Sequence, residues 1–542
     1  MKTLLQECAT SHTPESLAEQ LRGLPGLVLL RTGLFNDPLA RYSFVSAAPF
    51  LTFRSFGSRC ETSSAGTARL QFGNPWHVLD ALLARYEVLD QADLPFPLGG
   101  CFGYWGYDLK HFVEPRLPHQ ALNDLELPDC HVGFYDSLVV FDHRLDKAWI
   151  VSTGLQADGS RQEKAAGQKL GWWQEHLVRT PQTSAESVEK GRGHLSLPLS
   201  SKGGEADEPR APGYIEDSLS ETGFGTARAH STFSREGFIR AVEKAQAYIR
   251  SGDIYQVNLS QRLSQPWSAS GWALYQALAA ASPAPFSAYL DAGDFTLASS
   301  SPEEFLRLSG HHIQTRPIKG TRPRDPDPTR DAQLAYELQT SPKELAELIM
   351  ITDLLRNDLG RICEFGSVQT PTLAQLERYP QVQHLVSTVE GRLRPEVTHL
   401  AALASCFPGG SITGAPKFRA MEIIEELEPV TRGPYTGALG YLGFNRESQL
   451  SIIIRTALCK DGLAHFPVGA GIVADSVPAA EYEETLDKAR GFFEAVERGT
   501  PEFAVTKANR PRMTKETAES RAIGDPNHPA FDGVEFLKGL KK

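Results

Sequence analysis

Phe286-Ser287-Ala288-Tyr289-Leu290 and Ser451-Ile452-Ile453-Ile454-Arg455 read as strands, and the residues between them decide the fold class. Apolar spacing predicts helices at about 341 to 359 and 415 to 427, with a further helix at about 479 to 497. Strands and helices are interleaved without strict βαβ alternation. That order argues for an α+β fold with large mixed or antiparallel sheets over a doubly wound one. The ordered part begins near Ser234, where Phe238, Val242, Ala245 and Ile249 carry a helical period ended by Ser251-Gly252-Asp253. A strand, Ile254-Tyr255-Gln256-Val257-Asn258-Leu259, follows.

Before this region, from about residue 20 to 153, the chain shows short β-rich runs such as Leu27-Val28-Leu29-Leu30 and Ser137-Leu138-Val139-Val140-Phe141, separated by turn residues. Within it, Leu98 to Asp108 intersperses glycine with aromatic residues, as a packed turn or a close strand approach would. The segment from 155 to 231 is rich in Ser, Gly, Glu and Lys. It buries too little to offset its ordering entropy, so at least 180 to 225 is expected to be a mobile insertion. The expected division is an N-terminal region 1–154, an insertion 155–231, a catalytic domain 232–497 and a loosely held tail 498–542.

The chain has 542 residues and a net charge of −11, which argues against a nucleic-acid surface and against an anionic membrane. Seven scattered cysteines form no CxxC or metal-spaced pattern and read as reduced thiols of a cytoplasmic protein. The first residues lack the apolar run of a signal peptide, and no eighteen-residue apolar stretch predicts a membrane span.

Arg316-Pro317-Ile318-Lys319-Gly320-Thr321-Arg322-Pro323-Arg324 places one lysine between a stiff proline and a permissive glycine, among other cations. Desolvation and like-charge repulsion would favour its neutral, nucleophilic amine; the plainer reading is a solvated basic loop. Glu344 with Glu347, and Glu481 with Glu484, are carboxylate pairs three residues apart on two helices. Facing one another, they could form an oxygen-rich site for a hard cation such as Mg²⁺, although such pairs are also ordinary on solvated helices, where Glu484 could pair with Lys488. Phe407 to Lys417 is a glycine-rich turn into a helix, with Pro416 suited to the first turn and Ser411 and Thr413 adding hydroxyl donors for an anion. Val468 to Asp475 is a second glycine turn, and Arg455 ends a β-branched run with a fork suited to a carboxylate. Each could equally be structural. His384 stands alone, and Glu303, sixteen residues before Lys319, would meet it if two strands formed a hairpin.

Taken in order, these segments resemble the chorismate-utilising enzymes, the family of anthranilate synthase component I, aminodeoxychorismate synthase component I and the isochorismate and salicylate synthases. The most specific parts are Ile351 to Gly360, Gly409 to Lys417 and Gly469 to Ser476; the resemblance covers about 232 to 497 and, more weakly, 20 to 153. It implies a two-part sandwich of large antiparallel sheets flanked by helices. It also implies Mg²⁺ held by Glu347 and Glu484 with Glu344 and Glu481 nearby, and substrate contacts from Ser411, Thr413, Tyr435, Arg455 and the amide of Gly471, with His384 beside the reacting ring. Pro317-Ile318-Lys319-Gly320-Thr321 is similar to the aminodeoxychorismate branch, where anthranilate synthases look like Pro-Ile-Ala-Gly-Thr. That implies Lys319 as nucleophile and Glu303 as general acid in C4 amination. No stretch resembles a glutaminase nucleophile elbow, so ammonia is expected from a separate glutamine amidotransferase subunit. The rival expectations are an anthranilate synthase and a non-catalytic protein that binds chorismate or tryptophan.

Overall fold

The computed structural model describes residues 2–32, 41–88, 94–179, 229–379 and 382–499. Two antiparallel sheets, each of twelve strands, form its frame. Both combine strands from the two sides of the 155–231 segment. In the first sheet, Val28–Arg31 pairs with Phe286–Asp291; in the second, Gly100–Trp105 pairs with Ala438–Gly443. The N-terminal region and the expected catalytic domain are therefore interleaved within both sheets, and a boundary near residue 232 does not divide the fold.

The sheets face each other across an aromatic layer. Phe102, Tyr104, Leu439 and Tyr441 from the second sheet meet Leu290, Leu297 and Leu458 from the first. Burying each of these side chains contributes roughly 1.5–3 kcal/mol. The glycines among the aromatics of 98–108 serve close approach: a Cβ on Gly103 would lie 2.1 Å from the carbonyl oxygen of His131. Helices cover the outer faces. Arg235–Ser251 and Pro478–Gly499 pack on the first sheet, and Pro342–Gly360 on the second.

Local sequence explains these helices. Ser234 caps the first by accepting from the amide of Gly237 at 3.0 Å, and Gly252, at φ +84°, closes it in the left-handed region. Ser341 caps Pro342–Gly360, with proline in its first turn. Leu348, Ile351, Leu355 and Leu359 recur at helical spacing and form its buried stripe.

Two sequence expectations change. The 155–231 segment contains a helix, Glu163–Val178, whose Trp173 is buried and donates to Ser137 Oγ at 3.1 Å; one indole supplies the apolar area that composition undercounts. Residues 180–228 and 500–542, which hold most of the expected insertion and tail, lie outside the described residues. Ser451 to Arg455 is not one strand: Glu447–Ile452 belongs to the second sheet and Thr456–Lys460 to the first. The intervening residues carry the chain between layers, with Arg455 at φ +49°. All seven cysteines are free thiols. Among the described residues, no helix is long and apolar enough to cross a membrane.

Candidate active site

Lys319 lies on the strand Ile318–Pro323, which pairs with Val382–Arg392. The register shifts between Lys319 and Thr321, a bulge centred on Gly320 at φ +71°. Such a bulge re-aims the neighbouring side chain. Glycine is required there because a Cβ would lie 2.6 Å from Leu338 Cδ1 and 3.0 Å from Glu344 Oε2.

The electrostatics around Lys319 differ from the sequence expectation. The flanking arginines each take a carboxylate of their own: Arg316 with Glu377, Arg322 with Glu344, and Arg324 with Asp331. Lys319 instead faces acids. Its Nζ is 3.7 Å from Glu347 Oε2, and its charge acts on both Glu303 and Glu484. Repulsion from neighbouring cations is thus not what surrounds the amine.

Glu303 reaches Lys319 without the expected hairpin. It immediately precedes the strand Glu304–Ser309, which is separated from the Lys319 strand by His312–Thr315 and Val382–Arg392 in the sheet order. Burial pushes the Glu303 carboxyl up to about 7, against the opposing effects of Ser411 and Lys319. Ser411 Oγ donates to Glu303 Oε1 at 2.6 Å, so this hydroxyl orients the acid and is not a free donor. Thr413 is fully buried and donates to the carbonyl of Gly409 at 2.9 Å. The turn carrying both is held by Lys417, whose Nζ lies 2.6 Å from Asp358 Oδ2. Pro416 occupies the N-cap of the following helix, Lys417–Leu427, one position before the expected first turn.

His384 is paired in register with Thr321, and its Nδ1 lies 2.9 Å from Thr321 Oγ1. Burial, with the charge of Arg455, brings the imidazole down to about 4, so it is neutral at physiological pH. Arg455 is also deeply placed, and burial lowers its pKa. Among the described residues its guanidinium has no ion-pair partner, which leaves it available to an anion.

The opposite wall comes from Gln256–Pro266 and Leu463–Ile472. Gln256 is fully buried, yet among the described residues neither its Nε2 nor its Oε1 has a hydrogen-bond partner, and Asn258 Oδ1 likewise has none. A Cβ on Gly471 would sit 2.8 Å from Gln256 Nε2 and 3.5 Å from Lys319 Nζ. One on Gly469 would sit 2.8 Å from Asn258 Oδ1 and 3.0 Å from the Tyr435 hydroxyl. The two glycines therefore let Gln256, Asn258, the Tyr435 hydroxyl and the Lys319 amine converge closely over the strand. Buried polar atoms without partners cost roughly 1–3 kcal/mol each, a cost that a polar ligand can offset. The sequence reading missed Gln256 and Asn258, although their signal was present: alternate polar residues on one side of an otherwise apolar strand.

The four helix glutamates approach this space from two sides. Burial opposes ionisation of Glu484, but Lys488, Lys319 and Lys343 hold its carboxyl below the ordinary range. Burial and the charge of Glu484 raise Glu481. Glu484 pairs with Lys488 at 2.8 Å, while Glu344 and Glu347 take Arg322 and Lys319. Among the described residues, no three of the four offer oxygens within 4.8 Å of one another. The donor set is nonetheless oxygen-only and anionic, as a hard divalent cation requires. Asp108, His111 and Glu425 do converge elsewhere, but buried Lys110 sits 3.0 Å from Asp108 and 2.7 Å from Glu425. An ammonium already fills that cation position.

Comparison with known proteins places this geometry in context. The family model described as chorismate binding enzyme matches residues 40–494. Anthranilate synthase component 1 of Thermus thermophilus is 42% identical over 460 residues, covering 84% of this chain and 89% of that protein. Aminodeoxychorismate synthase component 1 of Escherichia coli is 37% identical over 505 residues, covering 92% of this chain and all of that protein. The crystal structure of anthranilate synthase component I from Streptococcus pneumoniae superposes with a TM-score of 0.67 at 30% identity, covering 84% of this chain and 93% of that one.

Proposed function

The chain belongs to the chorismate binding enzyme family, and from that premise we propose that it aminates chorismate at C4 to give 4-amino-4-deoxychorismate. Relatives of similar identity carry the names of both the C4-aminating and the anthranilate-forming enzymes. Lys319 is the observation that supports the first reading over the second. A half-buried amine beside the Gln256–Gly471 wall, acting on a carboxyl pushed up to about 7, pairs a nucleophile with an acid.

In the proposed sequence, the deprotonated Lys319 amine attacks C2 of chorismate. Both ring double bonds shift, C1=C2 to C1=C6 and C5=C6 to C4=C5, and the C4 hydroxyl leaves as water with the proton of Glu303. Ammonia then attacks C4, both double bonds return, the C2–N bond to Lys319 breaks, and the new C4 ammonium releases a proton. Glu303 regains a proton, and the enolpyruvyl group is kept. Arg455 offers its unpaired guanidinium to a substrate carboxylate. Gln256, Asn258 and Tyr435 offer polar contacts to the ring, and neutral His384 stands beside it. Water must be excluded in favour of ammonia, which fits a site walled by two sheets. Ammonia would come from a separate glutamine amidotransferase subunit, a reading supported by relatives named as component 1. The pathway assignment that follows is synthesis of a folate precursor, 4-aminobenzoate.

Mg²⁺ bound by Glu347 and Glu484, with Glu344 and Glu481 nearby, would supply positive charge to a dianionic substrate and its departing oxygen. Replacing Glu347 by glutamine is expected to raise the Mg²⁺ concentration for half-maximal turnover by about tenfold or more. It is also expected to weaken Mg²⁺ binding measured by calorimetry. Unchanged Mg²⁺ binding and turnover in that variant would remove Glu347 from the ligand set.

Gln256→Leu carries a paired expectation. The variant should melt higher, because two unpaired buried polar atoms are gone, while its KM for chorismate rises about tenfold. A higher melting temperature with unchanged KM would make Gln256 a purely structural residue.

The proposed reaction is tested by product identity. Purified chain with chorismate, Mg²⁺ and ammonium should accumulate 4-amino-4-deoxychorismate without pyruvate. Anthranilate with equimolar pyruvate would overturn C4 amination.

A further inference from the structure

We propose that the edge strand Thr67–Phe72 is a self-association surface, pairing antiparallel with the same strand of a second copy about a two-fold axis at Leu70. This strand ends the second sheet, and all six of its residues are exposed. Of the features that usually protect a sheet edge it carries one charge, Arg69, on the face opposite Leu70. It contains neither proline nor lysine, and its register with Arg59–Ser64 runs unbroken from Ser64↔Thr67 to Arg59↔Phe72. Among the described residues, nothing pairs with its outer side.

The hairpin turn determines which backbone groups are free. Ala65 at φ +47° and Gly66 at φ +78° form a two-residue connection of the I′ kind. Such a turn makes Ser64 and Thr67 the closing hydrogen-bonded pair, and hydrogen-bonded pairs then alternate along the ladder. Thr67, Arg69 and Gln71 therefore direct their N–H and C=O groups inward. Ala68, Leu70 and Phe72 direct theirs outward, and the same three residues share one face of the strand. Leu70 and Phe72 are 58% and 72% exposed on that face.

These constraints favour a copy of the same strand in one register. Setting Leu70 opposite the partner's Leu70 makes every outward N–H and C=O meet its complement. Ala68 then faces the partner's Phe72, and the apolar row continues across the join. Arg69 falls opposite the partner's Gln71, so no like charges are directly opposed. Glu61, beside Leu70 on the neighbouring strand, is paired with Arg59 at 3.3 Å within the same copy. A slip of one residue would instead set the apolar row against Thr67, Arg69 and Gln71. Six paired residues fall short of the roughly 800 Å² per partner of a standard interface, so the dimer is weak and in exchange with monomer.

Sedimentation velocity on the full chain, from micromolar to sub-millimolar concentration, tests this. A concentration-dependent dimer is expected. Leu70→Lys should abolish it while circular dichroism, melting temperature and chorismate turnover stay unchanged. Leu70→Cys should cross-link to itself on mild oxidation, because directly hydrogen-bonded positions lie about 5.5 Å apart at Cα, within disulfide range. Arg69→Cys, whose opposite is the partner's Gln71, should cross-link far less. A chain that stays monomeric throughout, a dimer that survives Leu70→Lys, or equal cross-linking at both positions would overturn the proposal. Since none of these readouts depends on which chorismate product forms, its failure is separable from that of the proposed reaction.

Discussion

Lys319→Ala is expected to lower 4-amino-4-deoxychorismate formation by on the order of a thousandfold or more, because alanine cannot form the proposed C2 adduct. The fold should survive. Lys319 lies on a strand at the wall of the site, its side chain is partly exposed, and its ion pair to Glu347 is 3.7 Å long. Chorismate binding should also persist, since Arg455, Gln256 and Tyr435 are untouched. Pre-steady-state measurement with ammonium would show whether the loss falls on chemistry. A variant with undiminished C4 amination would reject the covalent role. A variant that instead released pyruvate and anthranilate would show that the lysine redirects amination from C2 to C4.

Glu303→Gln should reduce turnover by about 10²–10⁴-fold, the usual range for a general acid, and should also change stability with pH. The carboxyl titrates near 7 in the folded chain and near 4.5 when unfolded. Below the unfolded value both states are protonated, and the favourable burial of the neutral acid is fully present. As pH rises, the unfolded chain loses its proton first and gains stability relative to the folded one. At about 1.4 kcal/mol per unit, the loss reaches on the order of 3 kcal/mol once pH passes the folded value. Glutamine has no proton to lose. The variant should therefore melt higher than the parent at about pH 8 and similarly near pH 4.5. Equal melting temperatures at both pH values would show that Glu303 is ionised at little cost and unsuited to act as an acid.

Much of this architecture was legible because local signals agreed with it. Caps at Ser234 and Ser341, the stripe Leu348–Ile351–Leu355–Leu359 and the glycine after Ser251 all specify helices whatever the tertiary context. Misreadings arose where a residue's role depends on a distant partner. Ser451 to Arg455 looks like one strand because β-branched residues suit a pleated surface on either sheet; the crossing between layers leaves no local mark except Arg455's unusual φ. Thr413 and Ser411 both looked like ligand donors, but only the fold shows that one hydroxyl turns back to Gly409 and the other to Glu303.

The site was legible to a similar degree. The glutamate pairs could be read from helical spacing, and Lys319 from its proline and glycine neighbours. The charges surrounding Lys319 could not, since Arg316 and Arg322 find carboxylates on distant segments, Glu377 and Glu344, and Arg324 turns to Asp331 on the following helix. Gln256 and Asn258 passed unnoticed because polar residues in a strand normally face solvent. Here they line an interior wall, where two glycines on the adjacent strand, Gly469 and Gly471, let their side chains pack closely beside the Tyr435 hydroxyl and the Lys319 amine.

The covalent role of Lys319 is the central claim, and rapid acid quenching tests it most directly. Enzyme mixed with chorismate and Mg²⁺, without ammonia, would be quenched over the first turnover and its peptides mapped by mass. The account predicts a transient adduct of chorismate less water on the peptide containing Lys319, disappearing as aminated product forms once ammonium is added. An unmodified Lys319 peptide at every quench time, with C4 amination proceeding normally, would contradict it.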